Sequence, residues 1–70
     1  MALTDLERVL VKALMLHKVD KEVTKVILLK LMNNKEGQDL LIQYLLNTKE
    51  LTERNILCKT DEIRKQTTKD

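Results

Sequence analysis

Apolar residues recur at spacings of three and four along the chain, in four stretches separated by polar residues that are suited to helix ends. This spacing places apolar side chains on one face of an α-helix. It predicts four helices, over residues 5–17, 21–32, 35–46 and 52–66. The short connections are typical of neighbouring helices that pack against each other. We therefore expect an all-α fold, a compact bundle of four short helices.

The predicted helix starts carry residues that cap helices. Thr4, with a glutamate three residues later, has the spacing of a capping box, in which each side chain accepts a backbone N–H of the other residue. Asp20 stands immediately before the second helix, and Thr52, which is favoured over Thr48, stands at the start of the fourth; both can accept N–H groups of the first turn. Asn33 and Asn34 together are expected to end the second helix, because Asn tolerates the left-handed conformation, and Asn34 is also expected to cap the third.

The apolar stripes of the first three helices are wider than the ~100° that a surface helix normally shows. In the first helix the expected packed stripe consists of Leu6, Val9, Leu10, Ala13 and Leu16 or His17. Further apolar residues of that helix lie at other angles, namely Val11, Leu14 and Met15. The fourth helix differs, because its apolar face is narrow and consists of Ile56, Leu57, Thr60 and Ile63.

The excess apolar residues predict a protein-binding surface. A central helix can bury two faces, which explains one wide stripe but not three. A domain of this size buries only about 60% of the surface of its unfolded chain, and a large exposed apolar patch is unusual in a monomer. We expect Val11, Met15, Leu28 and Met32 to form the interface. The leading hypothesis is a non-enzymatic interaction module or small regulator, which forms a homodimer or docks on a larger protein.

Length and composition narrow the class of protein. Seventy residues allow one domain, which we expect to span residues 1–66, with a polar, frayed tail at 67–70. The chain contains neither Trp, Phe nor Pro, and its apolar residues are nearly all aliphatic. Because Cys58 is the only cysteine and His17 the only histidine, an intrachain disulfide is impossible and a structural zinc site is implausible. We expect Cys58 to be an apolar filler, and we expect no enzymatic activity, cofactor, metal or small-molecule ligand.

A helix-turn-helix that binds nucleic acid is the alternative hypothesis. The third and fourth helices could form the motif, with Arg54, Asn55 and Lys59 near the start of a recognition helix where they could read base edges. Acidic residues on the same helix, including Glu53 and Glu62, would repel phosphates. The turn also lacks the glycine that is common in this motif. A solvated amphipathic helix is the simpler interpretation.

The net charge of +2 is nearly balanced and shows no dense basic stripe. Lys18, Lys21, Lys25 and Lys30 form a basic ridge along the second helix, which could meet an acidic partner or an anionic surface. Pairing of Lys25 with Glu22 three residues earlier favours an ordinary solvated face. No segment approaches the ~20 apolar residues that cross a bilayer, and the N-terminus lacks the pattern of a signal peptide. We therefore expect a cytoplasmic protein without a membrane association.

Overall fold

Four helices form a bundle in the computed structural model, which describes residues 3–67. They are α1 (Asp5–Leu16), α2 (Lys21–Lys30), α3 (Lys35–Asn47) and α4 (Glu53–Thr67). The all-α prediction is confirmed, and each helix end lies within two residues of its predicted place. Thr67 belongs to α4 rather than to the expected polar tail, whose remaining residues 68–70 lie outside the described part of the chain.

The helices begin at the predicted caps. The Thr4 hydroxyl accepts the Glu7 N–H at 3.1 Å, and the Glu7 carboxylate accepts the Thr4 N–H at 2.9 Å, which completes the capping box. The side chains of Asp20, Asn34 and Thr52 accept backbone N–H groups in the first turns of α2, α3 and α4. These bonds depend on residues two or three positions apart, so local sequence is sufficient to predict them.

Two residues within the described range adopt left-handed backbone conformations, and one was not expected. Asn33, one of the two asparagines predicted to end α2, has a φ of 60° beyond the end of that helix. Lys18 has a φ of 57° beyond the end of α1, at a position that glycine most often occupies. The Lys18 N–H donates to the Met15 carbonyl at 2.9 Å and the Val19 N–H to the Leu14 carbonyl at 3.1 Å. This is the Schellman pattern, which satisfies carbonyl groups at the end of a helix.

Interhelical hydrogen bonds define the topology. The Asp20 N–H donates to the Glu53 carboxylate at 2.7 Å, and Lys30 Nζ lies 2.7 Å from Asp61 Oδ1, so α2 and α4 run parallel. The C-terminal ends of α1 and α3 meet where His17 Nε2 donates to the Leu45 carbonyl at 2.7 Å. Helix α1 packs mainly on α3, α3 on α4, and α4 on α2. Helices α1 and α2 make little contact, although they are consecutive.

The buried core draws on all four helices and on two connections. It consists of Leu10, Ala13, Leu14, Val19, Ile27, Leu31, Leu41, Ile42, Leu45, Ile56 and Ile63. The narrow face of α4 is confirmed, since Thr60 is also fully buried and Leu57 is half-buried. The stripe predicted for α1 is wrong at Val9, which is exposed, and it omits Leu14, which is fully buried. Of its two alternative last members, Leu16 is exposed and His17 is half-buried. The helix is rotated because its neighbours pack on the side of Leu14.

Two polar side chains lie in the core with their hydrogen bonds satisfied. Gln38 Nε2 donates to the Leu31 carbonyl at 2.8 Å, and the Thr60 hydroxyl donates to the Ile56 carbonyl at 2.7 Å. No buried side-chain nitrogen or oxygen among residues 3–67 lacks a partner. Burial of these polar groups is therefore tolerated without the penalty of an unmade hydrogen bond.

The single glycine of α3 marks a close approach. A Cβ at Gly37 would lie 2.6 Å from the Asn34 side-chain nitrogen. That side chain accepts the Gly37 N–H at 3.0 Å and donates to the Thr67 hydroxyl at 2.6 Å, which joins the start of α3 to the end of α4. Glycine has a low helix propensity and so destabilises the helix, but its lack of a Cβ leaves room for the Asn34 cap.

Candidate protein-binding groove

A groove lies between α1 and α2 because these two helices diverge from their connecting turn. The Schellman end of α1 and the Asp20 cap of α2 fold residues 17–20 into a tight turn that leaves Val19 in the core. Beyond the turn, α1 packs on α3 and α2 packs on α4. The space left between them, the α1–α2 groove, has a volume of about 670 Å³. This is within the range of 300–1,000 Å³ that is typical of ligand sites.

The floor of the α1–α2 groove is apolar. It consists of Val11 and Met15 from α1, Val19 from the turn, and Leu28 from α2. Val11 and Met15 are four residues apart and therefore lie on one side of α1. Val11 and Leu28 are half-buried, whereas the Met15 side chain is 66% exposed. Three of the four predicted interface residues thus line a single groove, with apolar surface still open to solvent.

Three lysines lie along the α2 side and the turn end of this floor, and we call them the lysine rim: Lys18, Lys21 and Lys25. All three are exposed, and none forms an ion pair within the described residues. The pairing of Lys25 with Glu22 that the sequence suggested is not formed. The one acidic residue of the groove, Asp20, accepts the Glu22 N–H as the cap of α2. The rim therefore has a net positive charge, which the Asp20 carboxylate offsets in part and which no ion pair of the described residues neutralises.

The fourth predicted interface residue, Met32, lies elsewhere. Met32 is 54% exposed and lines a second groove of about 640 Å³, together with Leu29 of α2 and Arg64 of α4. The exposed surface of this groove is mostly polar. Met15 and Met32 therefore line different grooves.

Three strongly exposed leucines were not among the predicted interface residues. Leu16 is 75% exposed, Leu29 64% and Leu46 62%. Each belongs to one of the first three helices, whose apolar stripes are wider than a packed face requires. The width of a stripe shows that some of its members stay exposed, but it does not identify them, because the rotation of each helix depends on its neighbours.

The residues of the helix-turn-helix alternative lie on the outer side of α4. Arg54 and Asn55 are exposed, but Lys59 is half-buried and already has two partners. Its Nζ lies 5.3 Å from the centre of the Tyr44 ring and 3.5 Å from Glu62 Oε1. At spacings of three and seven residues, Glu62 shares a helix face with Lys59 and Asn55. A carboxylate on this face opposes phosphate binding.

Two candidate residues remain, His17 and Cys58. His17 holds the ends of α1 and α3 together through the Leu45 carbonyl. Cys58 is exposed, so its predicted role as an apolar filler is wrong. The hydrogen bond from Lys30 lowers the pKa of the Asp61 carboxyl below its usual value of 3.8, an effect that partial desolvation opposes. No group of three or more His, Cys, Asp or Glu side chains suited to a metal ion occurs in the described range.

Comparison with known proteins does not assign the chain to a family. No family model matches the sequence, and no curated protein or solved structure shows significant similarity to it. Between residues 3 and 67, none of the helices has the length and apolar character that crossing a bilayer requires.

Proposed function

We propose that this chain is a non-enzymatic protein-interaction module that holds a segment of a partner protein in the α1–α2 groove. One observation carries the proposal. Val11, Met15 and Leu28 belong to two helices, none of them is fully buried, and all three line the same open groove. A shared concave apolar floor is what a helix-in-groove interaction requires.

Energetics support a role for the exposed floor. Full withdrawal of one aliphatic side chain from water contributes about 1.5–3 kcal/mol. Met15, with 66% of its surface still exposed, has most of this contribution available for a partner. A bound partner also raises the apparent stability of the domain by mass action. The gain matters here, because a core of this size supplies only about 3–5 kcal/mol.

A display library of unbiased helical peptides, selected against the full chain, tests this proposal. We expect the selected peptides to bind the Met15→Gln variant roughly tenfold more weakly than the parent chain. About two-thirds of the Met15 surface is exposed in the free chain, and in the variant a bound peptide would no longer cover apolar surface there. Leu46→Gln is the matched control, because Leu46 is 62% exposed and does not line the groove. Both substitutions replace an exposed apolar residue by an uncharged helix former, so both variants should keep the stability of the parent chain.

Nuclear magnetic resonance provides the second readout. Bound peptides should shift the backbone amide signals of residues 11–28 more than those of α3 and α4. Failure to select any helical peptide would contradict the proposal. So would peptides whose affinity falls in Leu46→Gln but is unchanged in Met15→Gln. Binding of random duplex DNA at low salt that depends on Arg54 would support the helix-turn-helix alternative instead.

A further inference from the structure

We infer that the occupant of the α1–α2 groove is an amphipathic helix of a different protein, with acidic side chains flanking its apolar stripe. The inference rests on the proposed function and identifies the chemistry of the partner. It depends on the arrangement of charge around the floor, on the dimensions of the groove and on the symmetry of a possible self-association.

The lysine rim is positioned for acidic groups at the edge of a bound segment. Lys21 and Lys25 are four residues apart and lie on one side of α2, while Lys18 lies at the turn. Their ammonium groups have no ion-pair partner in the described part of the chain. Carboxylates beside a bound apolar stripe, on its α2 side and at the turn, would meet all three. Electrostatic complementarity of this kind increases the association rate and selects against partners of the wrong charge.

The backbone conformation of Lys18 is a second argument that its positive charge contributes to binding. A residue with a Cβ in the left-handed conformation costs about 1–2 kcal/mol, which glycine avoids. Lys18 nevertheless holds this conformation, with a φ of 57°, at the edge of the groove. Strained residues of this kind cluster at binding sites. The chain therefore carries a positive charge at a position where glycine would make the turn more stable.

The dimensions of the groove match a short helix. On α2 the lining extends from Lys21 to Leu28, about two turns, and on α1 from Val11 to Met15, about one turn. Two or three apolar anchors of a partner helix, spaced by three or four residues, fit such a length. Residues 3–67 contain no strand whose edge could pair with an extended peptide. Helix-in-groove binding is therefore the mode that this surface offers.

A second copy of the chain is a poorer occupant. A two-fold dimer uses the same patch on both subunits, so it would gather the lysine rims of both subunits in one interface. Like charges facing each other oppose such a dimer. A bilayer is also a poorer occupant, because apolar side chains that enter a membrane project from the surface, whereas Val11, Val19 and Leu28 form a concave floor.

Three helical peptide libraries of equal size test the inference against the full chain. Each varies the apolar positions in peptides of about 15 residues, long enough for a marginal isolated helix, and they differ only in flanking residues: Glu, Gln or Lys. We expect enrichment in the order Glu, Gln, Lys. For Glu-flanked peptides, the double variant Lys21→Glu/Lys25→Glu should weaken affinity at least roughly tenfold at low salt. The same double variant should bind Lys-flanked peptides more tightly than the parent chain does.

The possible outcomes separate this inference from the proposed function. Equal enrichment of Glu-flanked and Gln-flanked peptides, with binding still lost in Met15→Gln, overturns the acidic partner but leaves the groove as the binding site. Failure of all three libraries overturns both. A stable dimer in sedimentation that Met15→Gln dissociates assigns the groove to a second copy. The chain could also bind duplex DNA, or vesicles with anionic lipid, in a way that requires Lys21 and Lys25 but not Met15. That result would assign the lysines to a polyanion. Each of these results overturns the inference.

Discussion

Replacing Lys18 by glycine should stabilise this protein, although the change removes a side chain. The left-handed conformation of Lys18, with its φ of 57°, costs about 1–2 kcal/mol for a residue with a Cβ. Glycine removes that cost but loses about 0.4–1 kcal/mol through the greater freedom of the unfolded chain. The balance is a gain of roughly 0.5–1 kcal/mol in the free energy of unfolding, which for a domain of this size raises Tm by about 3–6 °C.

Urea denaturation followed by circular dichroism measures this gain, and two variants serve as controls. Lys18→Ala removes the same positive charge but retains the Cβ, so the difference between the Gly and Ala variants isolates the backbone contribution. Asn33→Gly, at the other left-handed position, should gain less because Asn tolerates this conformation. Equal stability of Lys18→Gly and Lys18→Ala would refute the reasoning, since it would mean that the Schellman turn places no strain on residue 18.

Three further predictions concern stability and ionisation. Leu14→Ala should lower the free energy of unfolding by about 2–5 kcal/mol, because Leu14 is fully buried; Met15→Ala, one residue later, should change it by less than about 0.5 kcal/mol, and similar urea midpoints for both would contradict the burial pattern. Gln38→Ala should cost about 1–3 kcal/mol in thermal or urea unfolding, because it leaves a void and removes the side-chain donor to the carbonyl at the C-cap of α2; a change near zero would show that the bond is not formed. The Asp61 carboxyl should titrate below 3.8 in a nuclear magnetic resonance pH series and return toward that value in Lys30→Ala. Since the pKa is lower in the folded state, the stabilisation from this pair should be present above the unfolded pKa and lost as pH falls through the folded pKa; an unchanged Asp61 titration in Lys30→Ala would contradict the pairing.

The number, order and approximate ends of the helices could be predicted because they depend on short-range interactions. Thr4, Asp20 and Asn34 each accept an N–H group two or three residues away. The spacing of apolar residues also indicates a helix without reference to its neighbours. The Lys18 turn shows the limit of such signals, because the residue type there does not favour the left-handed conformation that the fold imposes.

The candidate site could be predicted only in part. Stripe width indicated surplus apolar surface on α1, α2 and α3, and it selected Val11, Met15 and Leu28, which line one groove. It also selected Met32, which lines another, and it overlooked Leu16. Angular position on a helix identifies which residues share a side. It does not identify the side that another helix covers.

The amino-acid sequence by itself determined the all-α class, the caps and the presence of more aliphatic residues than four short helices need. Tertiary packing decided which of these residues stay exposed and where they meet. The α1–α2 groove exists because α1 packs on α3 and α2 packs on α4, a choice that depends on the fit of all four helices at once. The rotation that buries Leu14 and exposes Leu16 follows from the same packing. The spacing of apolar residues within one helix does not depend on contacts between distant segments. It could therefore indicate that apolar surface stays exposed, but not where that surface lies.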